Sequence, residues 1–272
     1  MRRSPPRQPR PFAAGASPRP AAAAGSRAGG GPAGVWLHGL HPVAAALLNP
    51  ARRLRRLLLT EEAEAALAAR LPAGRPWRIA PERADRARFN TFLHEDAVHQ
   101  GAALLADPLP PVPLDRALAH GDGPVLVLDQ VTDPRNVGAI LRSAAAFGAA
   151  ALVLQDRHAP PETGTLARAA SGALEIVPVV REVNLARALR ELKDAGLWVV
   201  GLDAEAPVTL AQVAHGLAGR RVALVLGAEG EGLRRLTRET CDEVARLPIA
   251  PEVESLNVSA AAAVALYELA RR

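Results

Sequence analysis

From residue 124 to the C-terminus the chain alternates short, continuously apolar runs with amphipathic stretches, and this rhythm narrows its fold more than any other feature. Residues 125–128, 151–154, 176–180, 198–202, 222–226 and 243–247 read as strands. Helices are expected at 136–147, 165–170, 185–195, 231–237 and 259–271. A strand that is apolar along its whole length has both faces covered, and regular alternation with helices makes the sheet parallel. Residues 124–272 are thus expected to form an α/β domain. Ligands of such sheets sit outside the carboxyl ends of the strands. The loops after Leu128, Leu226 and Leu247 are therefore where chemistry belongs.

Upstream, residues 35–106 read as a smaller α/β unit. Strands are expected near 36, at 55–59, 77–79 and 102–106, with helices at 44–48, 61–70 and 81–88. Residues 107–123, with four prolines, read as a linker. Residues 1–34 differ from both: nine Ala, seven Pro and six Gly leave little to bury, and a disordered tail is expected.

Composition settles where the charge lies. The net charge is +5, but residues 1–34 carry six arginines and no acid, so the remainder is close to neutral at −1. Residues 35–110 stand at +2 and 111–272 at −3, which puts any general attraction for a polyanion in the tail and the small unit. A single cysteine, Cys241, excludes an intrachain disulfide framework and a cysteine-rich zinc site. No apolar stretch of about 18 residues is free of charge, so no membrane span is expected. Four Phe, three Trp and one Tyr provide few stacking platforms for single-stranded nucleic acid.

Three loops carry candidate chemistry. In the first, Asn136 is a natural helix cap and Gly138 allows close helix approach. Arg142, about 1.7 turns beyond Asn136 in an Ala-rich helix, is explained by neither role and could pair with a carboxylate or serve a ligand. The second, Gly227-Ala-Glu229-Gly230-Glu-Gly232, follows a buried strand but is neither a P-loop nor a dinucleotide fingerprint. Its Glu229 wants a cationic partner, for which Arg142 is a candidate. In the third, Ser255, Asn257 and Ser259 surround Leu256, and each suits a helix cap or a polar ligand. No metal site is expected, since the histidines form neither a His-Glu-x-x-His pair nor a His/Cys cluster. Cys241 reads as a packed thiol, and no Gly-x-Ser-x-Gly elbow supports a serine nucleophile.

Together, Asn136 through Arg142, Leu226 through Gly232 and Ser255 through Ser259 resemble, in order and spacing, the three motifs of the SpoU (TrmH-type) RNA ribose 2′-O-methyltransferases. The stretch Leu37-His-Gly-Leu-His-Pro-Val43 with His99-Gln-Gly101 looks like the small substrate-binding domain of that family's 23S rRNA-directed guanosine branch. The resemblance implies a C-terminal trefoil-knot domain of the SPOUT class that binds S-adenosylmethionine and packs a homodimer. It implies cofactor contacts at Gly227, Leu247 and Leu256, and catalytic or substrate-holding roles for Asn136, Arg142, Glu229, Ser255 and Asn257. Arg142 is then either a general base or a cation that stabilises the developing alkoxide, oriented by Glu229. The implied function is guanosine ribose methylation in 23S rRNA, in a bacterial cytoplasm rather than a mitochondrion. A tRNA-directed methyltransferase and a non-catalytic ribosome assembly factor are the alternatives.

Overall fold

The computed structural model describes residues 34–74, 77–217, 219–228 and 230–271. The expected tail, apart from Gly34, and Glu229 lie outside the described residues.

The first sheet has four strands: β1 (Val35–His38), β2 (Leu54–Leu59), β3 (Pro81–Arg83) and β4 (Ala102–Ala106). Their order is β1-β4-β2-β3. β4 runs antiparallel to both neighbours, and β3 pairs in parallel with β2. Leu57, Leu58 and Leu59 are all fully buried, because α1 (Leu40–Leu48) and α2 (Glu61–Ala68) cover one face and Phe89 the other. Two expectations fail here. Residues 77–79 form no strand, and the helix expected at 81–88 shrinks to α3 (Arg86–Phe89). Pro81 instead opens an edge strand, where a missing N–H costs no ladder bond. Asp85 caps the short helix by accepting from the Arg88 amide at 2.9 Å.

The second sheet has six strands, all parallel: β5 (Val125–Asp129), β6 (Ala151–Gln155), β7 (Val179–Glu182), β8 (Trp198–Leu202), β9 (Val222–Gly227) and β10 (Glu243–Ala245). Their order is β10-β8-β9-β5-β6-β7. The chain proceeds outward from β5 to β7, then crosses to the other side of β9. The junction of β5 and β9 is consequently the switch point where a crevice opens. Helix α4 (Leu114–Leu118) lies inside the stretch expected to be a linker, with Leu114 and Ala117 buried beside Val125 and Val153. Helix α8 (Leu210–Gly216) was likewise not expected. The remaining helices are α5 (Pro134–Ala146), α6 (Gly164–Ala170), α7 (Leu185–Asp194), α9 (Arg235–Thr240) and α10 (Val258–Ala270). After β10, at the sheet edge, the chain returns to lay α10 against α5 and α8. A return of this kind is what the SPOUT knot requires of the C-terminal segment.

The two sheets share one hydrophobic core, continuous from Leu37 and Leu57 through Leu166 to Leu126 and Leu128. Arg52, 1% exposed, spans the junction. It ion-pairs Glu162 and Glu175 of the larger sheet's connections and donates to the Asp107 carbonyl at 2.9 Å.

Candidate active site

The three loops converge at the carboxyl ends of β5, β9 and β10. Gly227 closes β9 opposite Asp129 of β5. Behind it the chain folds back on itself: the Gly232 amide donates to the Ala228 carbonyl at 3.0 Å, with Gly230 and Gly232 at φ of +85° and +66°. Only glycine fits at 227, because an added Cβ would lie 2.1 Å from the Gly232 carbonyl carbon. Asp129 secures the far end of this loop. Its carboxylate is fully buried and accepts from the Arg234 amide at 3.1 Å and from Arg234 Nε at 2.7 Å. The helix expected at 231–237 accordingly starts later, at Arg235.

The third loop faces this turn. Leu226, Gly227, Gly232 and Leu233 from one side, and Leu247, Ile249, Ser255, Leu256 and Val258 from the other, enclose a pocket of about 440 Å³. Its mouth carries Asp203, Glu205, Glu231 and Glu254, with one cation, Arg238, which pairs with Asp203. Gly227, Leu247, Leu256 and Ser255 thus meet in one cavity.

Asn136 and Asn257 are also brought together, since Asn257 Nδ2 donates to Asn136 Oδ1 at 3.1 Å. Asn257 is the N-cap of α10, its Oδ1 accepting from the Ser259 and Ala260 amides at 3.0 and 3.4 Å and from Ser259 Oγ at 2.6 Å. Asn136 does not cap α5. Asp133 does, ahead of Pro134 at the first helical position, where the missing amide is harmless. Asn136 sits in the first turn, where its Oδ1 accepts from Asn257. Arg142 stands apart from the pocket on the exposed side of α5, with no hydrogen bond or ion pair to another described residue. Glu229, its expected partner, lies outside the described residues.

Two further groups belong to this site and were not anticipated. Asp129 could have been found as a lone acid ending an apolar strand. Asp203 carries no comparable signal, because only the tertiary fold places it at the pocket mouth. Cys241 is a packed thiol: its Sγ donates to the Thr237 carbonyl at 3.3 Å, and burial, with Asp242 beside it, pushes its pKa to about 12. Among the described residues no three His, Cys, Asp or Glu side chains are grouped to hold a metal ion.

The glycine-rich and polar loops thus frame one pocket at the carboxyl ends of a parallel sheet. Residues 123–267 match the SpoU rRNA Methylase family, and residues 36–112 match the RNA 2′-O ribose methyltransferase substrate binding family. The chain belongs to the SpoU rRNA methylase family. Among its curated relatives is the 23S rRNA (guanosine-2′-O-)-methyltransferase RlmB of Photobacterium profundum, 38% identical over 241 residues, covering 87% of this chain and 97% of that protein. The RlmB of Pseudomonas aeruginosa is 40% identical over 244 residues, covering 87% and 96%. Among solved structures, the AdoMet-bound rRNA methyltransferase from Sinorhizobium meliloti superposes with a TM-score of 0.69 at 25% identity, covering 88% of this chain and 87% of that one.

Proposed function

We propose that this protein transfers a methyl group from S-adenosylmethionine to the ribose 2′-hydroxyl of a guanosine in 23S rRNA. The observation that carries the reading is the meeting of the second and third motif loops around one pocket, with Asn257 of the third bonded to Asn136 of the first, in a chain that matches RlmB relatives across nearly their full length. The pocket suits the cofactor. Its volume falls within the range of small-molecule sites, its walls are aliphatic, and its acidic mouth favours a ligand bearing sulfonium and ammonium charges. Gly227, Leu247 and Leu256 are its proposed contacts.

When bound, S-adenosylmethionine supplies an electrophilic methyl group on a good leaving group. The protein's task is then the nucleophile, a weakly acidic ribose hydroxyl that must be aligned and relieved of charge. Arg142 is proposed to stabilise negative charge growing on the 2′-oxygen, because a guanidinium keeps its proton in proteins and is poorly suited to act as a base. Asn257, fixed to Asn136 and to the start of α10, holds the Ser255 loop beside the pocket. Asp129 keeps the Gly227–Gly232 turn in place through Arg234. Glu229 is assigned to orient Arg142.

The small domain, residues 35–106, is proposed to hold the RNA, in keeping with its family match. We assign a homodimer to the α5–α10 face, where Val264 and Tyr267 are about half exposed and Tyr267 packs edge-on against Phe147. No helix among the described residues is long and apolar enough to cross a membrane. A bacterial cytoplasmic enzyme is proposed on the strength of its bacterial relatives.

The deciding experiment maps ribose methylation in rRNA and tRNA from cells with and without the gene. One guanosine of 23S rRNA is expected to lose its methyl group and regain it with the wild-type gene alone. A lost tRNA methylation would redirect the reading, and no lost methylation would end it. A second expectation concerns Gly227→Ala. The added methyl must displace backbone at 232, an overpacking cost that corresponds to a roughly 10- to 100-fold loss of S-adenosylmethionine affinity. Titration calorimetry on the folded variant checks this.

A further inference from the structure

Helix α6 is the element through which the two sheets meet. One face of it touches α5, where a Cβ on Gly138 would lie 2.5 Å from the Leu166 carbonyl oxygen. The opposite face carries Gly164 and Arg168, one turn apart. Gly164 lies against β1 so closely that a Cβ there would fall 2.5 Å from the Trp36 carbonyl oxygen and 3.1 Å from His38 Nε2. A glycine at that position brings Arg168 into the junction itself.

There Arg168 faces the two small-domain motifs that the fold brings together. Arg168 Nη1 and Gln100 Oε1 each lie 3.3 Å from the point where a Gly39 Cβ would stand, so the missing side chain opens the space they border. Gln100 is held in a left-handed conformation at φ +52°, costly for a non-glycine residue, and its Oε1 accepts from the Leu40 amide at 3.2 Å. That bond leaves its amide group as a donor. His99 stacks on Phe89 with centroids 4.5 Å apart and accepts from the Gly101 amide through Nδ1 at 3.1 Å, which leaves its ring N–H on Nε2. His38 is 8% exposed, and its Nδ1 is buried without a hydrogen bond. Among the described residues the Arg168 guanidinium has no hydrogen bond and no carboxylate within ion-pair distance. The junction therefore collects a guanidinium, an amide and an imidazole N–H with no anion to answer them. Burial holds both His38 and His99 below the ordinary histidine range, and neighbouring cations push the same way, Arg168 on His38 and Arg86 on His99.

We propose that this junction is a phosphate subsite for the substrate RNA, with Arg168 as its cation and Gln100 and His99 as flanking donors. The proposal rests on the RNA-methyltransferase reading and extends it. A phosphate held by α6 lies one helix layer from α5, which carries Asn136 and Arg142, so the subsite would set the register between the RNA gripped by the small domain and the ribose presented for reaction.

The test uses the full chain and an unmodified 23S rRNA transcript, comparing Arg168→Met, which keeps the aliphatic stem, with Arg168→Lys, which keeps the charge. R168M is expected to bind the transcript about 10-fold more weakly, with a salt dependence reduced by about one phosphate contact, at unchanged melting temperature and S-adenosylmethionine affinity. R168K should recover most of the binding. RNA affinity and salt dependence unchanged in R168M, while wild type methylates the transcript, would overturn the subsite. If R168M shows the weakened binding and wild type transfers no methyl group, the phosphate contact stands and the proposed reaction falls.

Discussion

Replacing Arg142 with alanine is expected to lower single-turnover methyl transfer by about 10²- to 10³-fold, the usual consequence of removing one charge-stabilising group. The same variant should bind S-adenosylmethionine as wild type does and melt at the wild-type temperature. Both expectations follow from its place in the fold. Arg142 is exposed on α5, outside the pocket, and bonded to no other described residue, so its loss opens no cavity and strands no partner among them. Alanine is also the better helix former. Arg142→Lys separates the two proposed roles. An electrostatic stabiliser should leave the lysine variant partly active, with the wild-type dependence of rate on pH. A general base should instead give the lysine variant a new ionisation in its pH–rate profile, because an ammonium loses its proton more readily than a guanidinium. Loss of cofactor binding alongside turnover would remove Arg142 from the chemistry altogether.

The large sheet was legible because burial on both faces writes itself into the sequence. Val125–Asp129, Ala151–Gln155 and Val222–Gly227 contain almost no polar residue before their last position. Elements held by fewer core contacts were harder to read. Four prolines disguise α4 as linker, although Pro113 stands at its N-cap, and only its packing on β5 and β6 makes it a helix. Helix α8 carries a sequence signal of its own, since Thr209 and Gln212 form a capping box. Pro81–Arg83 could not be recognised as a strand, because a three-residue edge has no room for a pattern. At the site, loop chemistry pointed to Gly227, Ser255, Leu256 and Asn257. It could not reveal that Asn257 holds Asn136, a contact between residues 121 positions apart. Arg52 was still less visible, standing in an Arg-rich run whose other members face outward or pair at the surface.

Arg52→Met is expected to destabilise the protein by about 3–5 kcal/mol, the cost of stranding buried charge by removing one partner of an ion pair. The substitution keeps much of the volume and removes the cation that pairs with both Glu162 and Glu175. Glu175 accepts from Arg52 Nε at 3.0 Å and from Asn49 Nδ2 at 2.7 Å, while Glu162 accepts from the Leu109 amide at 3.0 Å. Those neutral donors remain in the variant, but neither carboxylate keeps its guanidinium. For a chain of this length the melting temperature should fall by on the order of 10 °C. The loss should also depend on pH, in a direction set by Glu162, whose pKa burial already raises against the pull of Arg52. A carboxyl raised in the folded chain takes up its proton there before the unfolded chain does. Stability therefore falls as pH climbs from the ordinary glutamate value through the raised one, and rises again on acidification. Without Arg52 that window widens upward, so the gap between variant and wild type should narrow as pH drops from 7 towards 5. A pH-independent gap would assign the loss to packing alone. Adding Glu162→Gln and Glu175→Gln to Arg52→Met removes the stranded charges and should restore much of the stability at pH 7. If it does, the small sheet is held in place by charge pairing at Arg52, and the single variant should lose RNA methylation before it loses affinity for S-adenosylmethionine, whose proposed pocket lies wholly within the larger sheet's loops.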